Sequence, residues 1–262
     1  MTSLARKLAR AAGLALACAA AIALPAQAAR PGHASHAAHA RQQIGYSAAA
    51  KQVLDRARAA AGGAGWNLLR GWHETGREGG QRYESWFDPL RYGMRVETRG
   101  AGGLSVQGYN GQGDWRIRPN GDTVAIDDRA AVARTRTAAF MGASGFFYPG
   151  RFDARGESLG VRQSGGRAFD VVEVVPWGGA ARELWFDRRT HLLGRVVDRT
   201  APQAVTVEFS DYRRVGPIRV AFHDTVHGPA GVEARDIDAV VFTPADRALF
   251  SLPRTGAPPA AP

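Results

Sequence analysis

Between Ser47 and Ala61 apolar side chains recur at three- and four-residue spacing: Ala50, Val53, Leu54, Ala57 and Ala61 share one face, Ser47 stands as an N-cap and Gly62-Gly63 as a stop. This pattern predicts a short helix that packs on something larger. After Trp66 the period changes to two. Tyr92, Met94, Val96 and Thr98 alternate with Arg95 and Glu97, and Trp115 and Ile117 alternate with Arg116 and Arg118, as expected of strands with one wet face. The alternation returns at 169–175, 184–186, 192–199, 205–212, 218–226 and 232–242. Between these runs lie turn signals such as Pro119-Asn120-Gly121-Asp122, Gly165-Gly166, Gly178-Gly179 and Gly228-Pro229. About ten strands at hairpin spacing predict a mainly β (α+β) domain, an antiparallel meander closed or nearly closed into a barrel. A second helix, from an N-cap at Asp128 to about Met141, interrupts the strands with Val132, Thr135, Ala139 and Phe140 roughly on one side. It runs into an apolar aromatic segment, Gly142-Ala143-Ser144-Gly145-Phe146-Phe147-Tyr148-Pro149.

The ends read differently. Residues 1–28 have the form of a signal peptide, with Arg6, Lys7 and Arg10 before an apolar run from Ala11 to Leu24 and the small-residue site Ala26-Gln27-Ala28. The run is too short to span a bilayer, so the expected location is periplasmic. Lipidation at Cys18, within Ala15-Leu16-Ala17-Cys18, is the minority alternative, because leucine is missing three residues before the cysteine. Residues 29–46 form a His- and Ala-rich lead-in with little to bury, 47–252 the folded domain, and 253–262 a Pro/Ala-rich disordered tail.

Composition narrows the function classes. Of 262 residues 45% are hydrophobic, enough for a real core, and the single cysteine excludes a disulfide framework or a Cys-based zinc fold. The formal charge of +10 falls by three with the leader, and the remaining basic residues except Lys51 are dispersed arginines. Dispersed charge on an exported chain argues against nucleic acid as a partner, while peripheral contact with anionic lipid headgroups stays compatible with it.

Catalytic patterns are thin. Gly142-Ala143-Ser144-Gly145 closes one residue too early for a nucleophile elbow, and Gly108-Tyr109-Asn110-Gly111-Gln112-Gly113 lies between strands rather than before a helix. His33, His36 and His39 sit in the lead-in; His223 and His227 share a strand face; His73-Glu74 has no second histidine at helical spacing. Asp127-Asp128 reads as helix capping, and Asp236 with Asp238 as an edge or bulge feature. Leu252-Pro253-Arg254-Thr255-Gly256 spells a sorting pentapeptide but lacks the hydrophobic stretch and basic tail that such a signal needs. No catalytic residue, metal or cofactor is expected. What remains is aromatic: Trp66, Trp72, Trp86, Phe87, Trp115, Trp177 and Trp185 need either a core or a ligand against them. A partly open barrel capped by a helix encloses an apolar cavity or fills with its own side chains, and composition leaves both open.

Three stretches resemble the LolA/LolB-like superfamily of periplasmic lipoprotein carriers, a domain also found at the N-terminus of some exported retropepsin-like proteins. Tyr109-Asn110-Gly111-Gln112-Gly113-Asp114-Trp115 is similar to its D-G-x-x-x-W hairpin, with Asn110 where Asp is commoner. Leu184-Trp185-Phe186-Asp187-Arg188-Arg189-Thr190-His191-Leu192-Leu193-Gly194-Arg195 is similar to its L-W-x-D-x-x-T-x-L-x-x-R hairpin, and Asp211-Tyr212-Arg213 with Gly216-Pro217-Ile218 to its D-Y-R turn. The resemblance implies an incompletely closed antiparallel barrel with helices across its mouth and a cavity for acyl chains. The peptidase triplet is absent, since Asp122-Thr123-Val124 and Asp224-Thr225-Val226 both lack the glycine. The expectation is therefore a non-enzymatic binder of a lipid's or lipoprotein's acyl chains, with Tyr92, Met94, Val96 and Trp115 lining the cavity and Phe140, Phe146 and Phe147 as its lid. Two other roles stay open for the same fold: an envelope protein-interaction or sensor module, and an accessory domain to a separately encoded hydrolase.

Overall fold

A computed structural model describes residues 44–244 and 246–253. The expected signal peptide, Cys18, the three lead-in histidines and nearly all of the tail lie outside the described residues. Fourteen strands form one sheet. In chain order these are β1 (Gly45–Tyr46), β2 (Trp72–Glu78), β3 (Gln81–Phe87), β4 (Gly93–Gly100), β5 (Gly103–Asn110), β6 (Asp114–Ile117) and β7 (Thr123–Ile126). They continue as β8 (Ala154–Ser164), β9 (Arg167–Pro176), β10 (Arg182–Asp187), β11 (Leu193–Asp198), β12 (Val205–Val215), β13 (Ile218–Gly228) and β14 (Gly231–Val241). Two meanders, β2–β7 and β8–β14, are joined where β14 pairs with β2. All neighbours are antiparallel except β1, which runs parallel to β8. The sheet curls without closing, and among the described residues its edge strands are β7 and β1. The chain passes between those two halves through helix α2 (Arg129–Gly142) and a 3-10 turn, Gly145–Phe147.

Local chemistry fixes these elements as the patterning requires. In α1 (Ala48–Ala60) the Ser47 side chain accepts from the Ala50 amide, and Ala50, Val53, Leu54 and Ala57 form the buried face. Asp128 caps α2 by accepting from the Ala131 amide at 2.7 Å. Gly165 and Gly166 adopt φ of 55° and 72° in the two-residue β8–β9 turn, where an L side chain would be strained. The Asp187 carboxylate accepts from the amides of Arg189 and Thr190, fixing the β10–β11 turn.

The main core lies on the concave face, where α1 and residues 140–152 pack against β9–β14. The convex face of β4 is not wet, contrary to the alternation read from sequence: Arg95 and Glu97 are buried and paired at 2.7 Å. A C-terminal strap, the 3-10 turn Arg247–Phe250, crosses this face. The Leu249 carbonyl accepts from Arg95, the Phe250 carbonyl accepts from Trp115 Nε1 at 2.9 Å, and the Phe250 ring lies over Gly93. The register confirms the side: Arg95 pairs with Gly108 and Gly108 with Trp115, whereas Met94 pairs with Tyr109 and Tyr109 with Asp114. Trp115 thus points away from Met94 and Val96, against the expectation that all three line one cavity. The physical reason is that the face opposite them is also covered, so alternation carries no sign of which side is interior.

Candidate cavity on the concave face

The concave side is filled in one half and hollow in the other. Under α2, Met94 and Val96 pack with Phe87, Tyr109, Ala138 and Ala139 into a closed cluster. Tyr92 stacks near Phe140 and meets Phe152 edge-on at 4.3 Å, while Phe140 also contacts Phe146. These expected cavity and lid residues are self-packed. Between α1, the segment 141–147 and the inner face of β2 and β11–β14 lies a cavity of about 120 Å³. Phe146 and Phe147, from the predicted lid, do line it, together with Leu193, Val196, Phe209 and Val220.

The cavity is not wholly apolar. Its floor carries Glu74, Asp224 and Arg235, all buried. Glu74 Oε1 accepts from the Tyr83 hydroxyl at 2.6 Å and Oε2 from Trp72 Nε1 at 3.2 Å, and Arg235 Nη1 stands 3.8 Å from that same Oε1. Arg235 Nε donates to Asp224 Oδ2 at 2.8 Å, and its guanidinium lies 5.4 Å from the centre of the Tyr83 ring. Burial, reinforced by the Glu74 carboxylate, pushes the Tyr83 hydroxyl far above the usual phenol range. Burial alone would weaken the Arg235 proton, but Asp224 and Glu74 outweigh it and hold the guanidinium charged.

Sequence reasoning missed this floor, although each piece was visible. In the sequence Glu74 stands out only within His73-Glu74, and Asp224 only within an incomplete peptidase triplet. The available signal was parity: Ile218, Val220, Phe222, Asp224 and Val226 alternate on one face of β13, so Asp224 occupies an inward position. An ionisable group there needs a partner of opposite charge, which Arg235 supplies from the neighbouring strand at the paired position.

On the convex face, His223 Nδ1 lies 2.7 Å from Asp236 Oδ1, and the Thr225 hydroxyl 3.3 Å from His223 Nε2. This hydroxyl–imidazole–carboxylate order is that of a catalytic triad, yet it sits on a solvated strand surface whose backbone amides pair in the sheet rather than point at a reacting oxygen. His73 stacks on Trp86 at 4.8 Å and meets Glu84 at 2.7 Å, also on the convex side. Among the described residues no group of three or more His, Cys, Asp and Glu is placed to hold a metal ion.

No protein-family model matches the chain, and no curated protein matches it significantly. Solved structures do. A DUF1329 family protein from Desulfovibrio piger aligns over 78% of this chain and 98% of its own, with a TM-score of 0.51 at 14% identity. A LolA superfamily protein from Nitrosomonas europaea aligns over 78% of this chain and 98% of its own, with a TM-score of 0.51 at 11% identity. The chain has a LolA-like fold.

Proposed function

We infer that this protein is a non-enzymatic binding protein of the bacterial envelope, exported by its leader, that takes an alkyl or acyl chain of a lipid or lipoprotein into the cavity beneath α1. The observation that carries this reading is the hollow half of the concave face, walled by Leu193, Val196, Phe209, Val220, Phe146 and Phe147 in a fold otherwise densely packed. At about 120 Å³ the cavity has the liquid volume of about four water molecules, enough for a short length of chain. Four buried methylenes contribute about 3 kcal/mol, and a longer chain gains in proportion once the turn at Gly145–Phe147 moves aside. Ser144, at the start of that turn, holds a left-handed φ of 50°, which makes it the natural pivot.

The protein-interaction reading draws on the filled half under α2, which needs no ligand. Native mass spectrometry of protein purified from its own envelope separates the two. Co-purifying lipid at a fixed stoichiometry supports the binding reading; a lipid-free protein that also fails to bind a neutral naphthylamine dye saturably refutes it.

A further inference from the structure

The floor of the cavity implies a particular kind of ligand end, an inference that rests on the binding reading above. Asp224 is 2% exposed, and only its Oδ2 is engaged, by Arg235. Among the described residues no group donates to Asp224 Oδ1, and that oxygen is not among the occluded polar atoms without a partner, so it keeps some accessible surface on a residue that lines the cavity. A buried carboxylate oxygen without a donor is costly, and a ligand that supplies one removes the cost. The surroundings decide which donors fit. Glu74 lies on the same floor, so two carboxyl groups share the Arg235 guanidinium. Arg219, the other cation lining the cavity, is exposed and five residues away along β13, roughly 17 Å at strand rise. An anionic ligand end would therefore meet excess negative charge where the dielectric is low.

We propose that the cavity selects an amphiphile whose polar end is a hydroxyl, donating to Asp224 Oδ1 and lying beside the Arg235 guanidinium, and that it discriminates against carboxylate ends. A hydroxyl suits the position because it both donates and accepts, whereas an ether only accepts and an alkane does neither.

The test is displacement of the neutral naphthylamine dye from the full chain by octanol, octyl methyl ether and octanoate. The ether is the more hydrophobic of the two neutral compounds, so a purely apolar pocket favours it. The polar floor predicts the reverse order, with octanol displacing dye at a concentration at least about tenfold lower than the ether and lower still than octanoate. Asp224→Leu should restore the ether's advantage; if that variant does not fold, the ranking in the unaltered protein decides alone. Ether equal to or better than octanol, or octanoate best, overturns the selectivity while leaving chain binding intact. Failure of dye and all three compounds to bind overturns both.

Discussion

Phe250→Ala tests the assignment of faces, because it perturbs the strap without touching the cavity. The Phe250 side chain is 3% exposed, its ring occupies the space above Gly93, and its carbonyl takes the Trp115 indole hydrogen at 2.9 Å. Removing a buried phenyl group loses about 1.5–3 kcal/mol of transfer free energy, and incomplete collapse brings such changes to about 3–5 kcal/mol. A single 3-10 turn can settle back onto the sheet, so the lower end, about 3 kcal/mol, is expected. Two readouts apply. Urea unfolding should show the loss at an unchanged slope. Hydrogen exchange of the Trp115 indole should accelerate roughly a hundredfold, since each 1.4 kcal/mol of easier opening is a factor of about ten. A loss below about 1 kcal/mol with unchanged indole exchange would refute the placement of Trp115 beneath the strap. An indole protected instead by saturating alkyl ligand would return Trp115 to the cavity.

Other expectations follow from the same contacts. Gly108→Ala should destabilise by several kcal/mol in urea, because a Cβ there would lie 2.0 Å from the Trp115 ring; a neutral result contradicts the register. Arg235→Met should cost about 3–5 kcal/mol, as it leaves Glu74 and Asp224 buried without their cation; unchanged stability would mean the cluster is wet. At alkaline pH the buried hydroxyls of Tyr46, Tyr83, Tyr92 and Tyr212, raised chiefly by burial, favour the folded state while protonated. That contribution is fully present below the ordinary phenol value of about 10 and is lost as pH rises from there toward their folded values. Tyr46→Phe should make the decline shallower at little or no cost near neutrality, since its hydroxyl is buried without a partner among the described residues; a loss above about 1 kcal/mol at pH 7 contradicts this.

Much of the architecture was legible from chain periodicity. Both helices begin where their caps predict, with Ser47 and Asp128 accepting from the third residue on. The strands that escaped notice are the polar ones. In β8, Ala154–Ser164, arginine, glutamate, serine and glycine leave almost no apolar alternation, because the strand gains its place from pairing with β9 rather than from a buried face. The β2–β3 hairpin hides for a related reason: its inward Glu74 and Glu78 are buried polar residues in positions where sequence patterning expects apolar ones. Site residues were harder still. Period two shows that Met94 and Arg95 face opposite ways, but it does not say which face a distant segment covers, and the strap from 246 to 251 is remote in sequence. Whether an interior is filled depends on how Phe140, Tyr92 and Phe152 stack across the gap between α2 and β4, which no local pattern encodes.

The claim that a hollow half-barrel binds an alkyl chain is tested most directly by titrating the naphthylamine dye into the unaltered chain, Ala61→Phe and Trp115→Phe. Ala61 lines the cavity at the end of α1, and a phenyl ring is a group that a space of about 150 Å³ accommodates, so this variant should occupy most of the 120 Å³ present. Saturable binding to the unaltered chain and to Trp115→Phe, with at least about tenfold weaker binding to a folded Ala61→Phe, is the predicted result. Equal binding to all three would place the dye elsewhere and contradict the cavity as the ligand site.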